Sequence, residues 1–88
     1  MSTLHTLAAL SSEQFHNLPQ AQRQAQLTAC AQELRSLAGD RATSPPSADR
    51  LRQVARDVTR RAASQEFSAA FAQIRMACAQ LPRHSPLG

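Results

Sequence analysis

Lysine, tryptophan and tyrosine are missing from this chain, glycine occurs only twice, and phenylalanine only three times. Each shortage excludes something. With two glycines there is no glycine-rich loop to cradle a nucleotide phosphate, and no other motif of that kind replaces it. Without tryptophan or tyrosine, exposed rings for stacking nucleic-acid bases are scarce. β-Branched residues are few and no stretch alternates with period two, so strands are not expected. Nothing approaches 18 consecutive apolar residues, which rules out an evident membrane-spanning helix. The opening MSTLHTLAALSS has neither the basic start nor the apolar length of a secretory signal. Cys30 and Cys78 are far apart and form no CxxC pair. A reduced, cytoplasmic protein is the expectation.

What the chain does contain is alanine, arginine and glutamine. All ten basic residues are arginine, set against six acids for a net charge of +4. This composition, without lysine, suggests a GC-rich and hence bacterial coding sequence. Of the 88 residues, 17 are alanine and only 20 are Leu, Ile, Val, Phe, Met or Cys. At roughly 1.5 to 3 kcal/mol per fully buried large side chain, against about 1.5 kcal/mol of ordering entropy per residue, so thin a core is close to break-even. One small domain is expected, with self-association or a stable partner to complete it.

Helix formers fill the intervals between breakers. Leu4, Leu7 and Leu10 suit a short amphipathic turn, with residues 1–10 and 82–88 expected to be flexible. Ser11 with Gln14 matches a capping box. Pro19 suits the first position of a helix over 19–38, for which Gly39 would supply a left-handed cap. Residues 39–47 form the loop, and Ser47 would cap the helix that follows. The expected fold is all-α: a helical hairpin with a long C-terminal helix and a short N-terminal helical segment.

The segment 48–81 poses a geometric problem. At 100° per residue Leu51, Val54 and Val58 point one way, while Phe67, Phe71, Ile74, Cys78 and Leu81 point about 180° away. A break near Ser64 would resolve the conflict, with Arg60 and Arg61 at the end of one helix and Ser64 capping the next. Against a break, a reversal needs a left-handed residue, which at Ala62 or Ala63 costs roughly 1 kcal/mol. The expectation is therefore a continuous helix, kinked at most near Ser64 and roughly 50 Å long. The hairpin would then cover Leu51, Val54 and Val58 with Leu27, Cys30, Leu34 and Leu37. Of the stripe from Phe67 to Leu81, Leu4, Leu7, Leu10 and Phe15 would cover part, and the rest would be left for a second copy of the chain or another helical protein. A break at Ser64 leads instead to a closed, four-helix monomer.

Two surfaces thus become candidates. The first is the apolar stripe Phe67, Phe71, Ile74, Cys78 and Leu81, as the docking face of a non-enzymatic adaptor, regulator or small chaperone. The second is Arg52, Arg56 and Arg60, a row at i, i+4, i+8 with Arg61 beside it, which would track the phosphates of a nucleic acid, making the chain a small nucleic-acid-binding regulator, or bind an acidic partner. A solvated helix face paired with Asp49 and Asp57 is the plainer account of that row. His5, His16 and His84 are scattered, and neither they nor the cysteines have metal-ligand spacing, so no metal, cofactor or small-molecule substrate is expected.

Overall fold

A computed structural model describes residues 3–80, all the helices and turns below falling within that range. Five helices are present: α1 (Thr3–Ala8), α2 (Ser12–His16), α3 (Gln20–Ala38), α4 (Pro45–Ala63) and α5 (Phe67–Gln80). Among the described residues there is no strand, and no helix is long and apolar enough to cross a membrane. The fold is all-α, as the patterning implies.

Helix α3 and helix α4 form the hairpin. Leu27, Cys30, Ala31 and Leu34 of α3 are fully enclosed with Ala55 and Val58 of α4, while Leu37 and Val54 pack at the margin. The turn between them departs from the expected one in two respects. Gly39 has φ −86°, so the end of α3 needs no left-handed residue; the Thr43 hydroxyl donates instead to the Leu37 carbonyl at 2.6 Å. Helix α4 begins at Pro45 rather than after Ser47. Prolines at the first two helical positions forfeit only N–H groups that have no intrahelical partner, and their fixed φ suits the first turn. Ser44, held extended ahead of Pro45, accepts the Ala48 N–H on its carbonyl at 2.8 Å.

The continuous C-terminal rod does not exist. Helix α4 ends at Ala63 and α5 starts at Phe67, with Gln65 between them at φ 63°. The Glu66 N–H donates to the Arg61 carbonyl at 2.8 Å and the Gln65 N–H to the Ala62 carbonyl at 3.1 Å. That is the paired 6→1 and 5→2 bonding of a Schellman terminus, with glutamine where glycine is usual. Arg61 and Glu66, where an apolar contact often accompanies this motif, form an ion pair at 3.2 Å. The left-handed position therefore falls on Gln65, not on Ala62 or Ala63. The carbonyl of Glu66, rather than Ser64, opens α5 by accepting the Ala70 N–H at 3.1 Å.

Reversing the chain here turns the second stripe inward. Phe67, Phe71 and Ile74 are buried in the same cluster as Val58, so one chain covers both stripes. The N-terminal segment completes the cover. Leu4 and Leu7 of α1 are buried, and the Leu4 N–H donates to Glu33 Oε1 of α3 at 3.1 Å, which satisfies a first-turn donor and favours the helix dipole. Residues 3–8 thus form the short N-terminal helical segment expected, packed on α3; residues 82–88 lie outside those described. The Ser11–Gln14 capping box forms in both directions. It sets Phe15 face to face with Phe71, the rings 4.3 Å apart and 5° from parallel. The whole measures 36 × 26 × 17 Å with a radius of gyration of 12.8 Å, close to the roughly 12 Å expected of a globule this size and far from a 50 Å rod.

Candidate anion-binding notch

The apolar stripe is not a surface. Phe71 is 2% exposed and Ile74 fully enclosed, Phe67 is buried under the Arg23 guanidinium 5.0 Å from its ring centre, and Cys78 is half-buried. Leu81 lies outside the described residues. The physical reason is the turn at Gln65, which points these side chains at α1, α2 and α3. Among the described residues Met76 is the exposed large hydrophobic, so the geometric case for an obligatory companion through this stripe is removed. The Cys30 thiol is pushed up to about 12 by burial, then by Glu33 and Cys78, and burial raises Cys78 too. Both are therefore protonated at neutral pH.

The arginines divide into two groups that sequence spacing alone does not distinguish. Arg60 and Arg61 converge on Asp57, Arg61 at 3.1 Å, and Asp57 also accepts from the Gln73 side chain of α5. The Gln73 and Arg61 hydrogen bonds, more than the Arg60 bond, hold the Asp57 carboxyl down to about 2. These groups join α4 to α5, and Arg61, only partly exposed, belongs to that joint rather than to an outward row. A shallow groove beside it is lined by Gln53, Val54, Arg56, Asp57, Arg60 and Gln73. Its carboxylate is shared by Arg60 and Arg61, while Arg56, which stands between this groove and the opposite flank, has no share in it.

Arg52 and Arg56 stand on the other flank, where α3 adds Arg35. Arg35, Arg52 and Arg56 line an open concavity of about 250 Å³ between α3 and α4. Arg52 has Asp49 one turn away at 3.6 Å, in a pair largely open to solvent. Arg35 donates only to the neutral Thr59 hydroxyl, at 3.4 Å, and Arg56 has no ion pair among the described residues. Three positive charges against one negative leave the notch at +2. Arg35 is missing from the row read along α4 because it belongs to another helix. Folding the hairpin about its short loop would have found it: Leu34 must meet α4 to be buried, which brings its neighbour Arg35 opposite the turn that carries Arg52 and Arg56.

A further polar contact joins α2 to α5. The His16 ring accepts the Ser68 hydroxyl at Nε2, 2.8 Å away, while Nδ1–H donates to the Ser12 carbonyl at 2.7 Å, a carbonyl being able only to accept. It ties α2 to the first turn of α5 on an exposed edge. No group of three or more metal-ligating His, Cys, Asp or Glu side chains occurs among the described residues. Comparisons with protein-family models, curated protein sequences and solved structures find no match.

Proposed function

We propose that the chain is a non-enzymatic binding module that recognises an acidic segment of another protein through Arg35, Arg52 and Arg56. The observation that supports this reading is an arginine-lined notch with surplus positive charge on a molecule whose apolar stripe is already covered by its own chain. Arg52 and Arg56 are one i, i+4 step apart, about 6 Å along the axis. An acidic helix laid along α4 repeats its carboxylates at that same interval, and a guanidinium fork takes a carboxylate through two hydrogen bonds. Exposed ion pairs contribute only about 0.2–1 kcal/mol each, so these contacts select and steer, while the arginine stems supply apolar area.

Nucleic acid is the second reading, and the row of α4 arginines is what favours it. All three phenylalanines are buried, so no ring stands beside the notch to stack a base, and Asp49 and Asp57 interrupt the positive face. Fluorescence anisotropy decides between them. A labelled helical peptide with glutamates at i, i+4 should bind at low salt, weaken as salt rises, and lose about two- to fivefold in affinity with Arg35→Ala or Arg56→Ala. Equal binding by both variants, or tighter capture of a DNA or RNA oligonucleotide than of the peptide, would overturn the proposal.

A further inference from the structure

The charge of the notch narrows its ligand further, on the footing of the anion-binding role just proposed. We infer that Arg35, Arg52 and Arg56 form a site for a phosphate monoester. The concavity is lined by three arginines from two helices, with a surplus of two positive charges. A single carboxylate or a phosphodiester brings one negative charge and leaves half of that surplus unanswered, and the paired glutamates of an acidic helix answer it only from two points a helical turn apart. A phosphate monoester brings between about 1.5 and 2 at neutral pH and offers three acceptor oxygens, one for each guanidinium fork. Arginine suits this task where lysine would not, because its planar donors match phosphate oxygens in pairs.

The contrast with the neighbouring groove makes the assignment specific. Arg60 is as exposed as the notch arginines and lies on the same helix, yet its charge is taken up by Asp57, which also holds Arg61 and Gln73. Arg35 and Arg56 have no such carboxylate. The same monoester chemistry occurs on a phosphorylated serine or threonine side chain and on a small phosphorylated metabolite.

Isothermal titration at constant ionic strength tests the assignment, using phenyl phosphate, dimethyl phosphate and acetate as probes. Phenyl phosphate should bind at least tenfold more tightly than the other two at pH 7.5. Its affinity should fall as the pH is lowered to 5, because the monoester gains a proton with a pKa near 6 while the arginines stay charged; no histidine lines the notch. Arg35→Ala and Arg56→Ala should each weaken binding about tenfold, Arg35→Lys should recover part of it, and Arg60→Ala should change nothing. A phosphoserine peptide competing better than its unphosphorylated form and better than free phenyl phosphate would identify a protein source; phenyl phosphate as the stronger competitor would identify a small molecule. Equal affinity for acetate or the diester, or indifference to Arg35→Ala, overturns the inference. If the acidic peptide still binds through Arg35 and Arg56 in that case, only the phosphate preference has failed. If neither ligand binds, both readings fail.

Discussion

Residue by residue, the two turns carry each other's natural amino acid. Gly39 closes α3 in right-handed geometry, and a methyl group added there would meet the Ser36 carbonyl at 3.6 Å and the Arg35 carbonyl at 3.8 Å, both ordinary contacts. Gln65 occupies the left-handed region, which costs a side-chain-bearing residue about 1–2 kcal/mol. Gly39→Ala should therefore stabilise the fold by about 0.4–1 kcal/mol, by removing freedom from the unfolded chain without straining the native one. Gln65→Gly should also stabilise, by about 0.5–1 kcal/mol, since the strain relieved exceeds the added flexibility of the unfolded state. Urea titration of both variants measures these differences. A destabilised Gln65→Gly would mean that its side chain contributes more than its backbone costs.

The elements were legible to the degree that their residues obey local rules. The capping box at Ser11 and Gln14 is a side-chain exchange within four residues, and it formed as read. The opposed stripes on 48–81 were visible as angles, and Leu51 and Val58 of one and Phe67, Phe71 and Ile74 of the other are buried, the second against the expectation that it would be left uncovered. The break between them was not legible, because a left-handed Gln65 is held by hydrogen bonds to Arg61 and Ala62 and by an ion pair that no composition rule anticipates. Pro45 and Pro46 misled in the opposite direction, since prolines end a helix from within but start one readily. The notch was half legible: Arg52 and Arg56 stand in sequence register, whereas Arg35 joins them only through the tertiary hairpin.

Asp57 is the joint between α4 and α5, and its titration should be felt by the whole corner. Its carboxyl is lowered from 3.8 to about 2 by Gln73 and Arg61 first, so the native state holds fewer protons than the unfolded state between those values. Stability from this group is complete above about pH 4 and is lost as the pH falls through 2. Asp57→Asn should flatten that acid limb of the stability curve and lower stability at neutral pH. Thermal melts between pH 2 and 7 on both proteins check it; parallel curves would place the acid sensitivity elsewhere.

At the scale of the molecule, the question is whether a core of alanines and few large side chains holds without a companion. Phe71 is the critical test because it is buried in the cluster, stacked on Phe15, and central to the stripe expected to face a partner. A docking residue truncated to alanine leaves a stable monomer, whereas a core phenylalanine truncated to alanine costs about 3–5 kcal/mol. For a domain of this length total stability is on the order of 4–13 kcal/mol, so that loss is a large part of the whole. Phe71→Ala should accordingly show a strongly lowered or uncooperative thermal transition by circular dichroism. Met76→Ala, 61% exposed on the same helix, should stay within about 0.5 kcal/mol of the parent. A Phe71→Ala protein with an unchanged melting temperature and a reduced mass by light scattering would restore the stripe as an interface and remove Phe71 from the core.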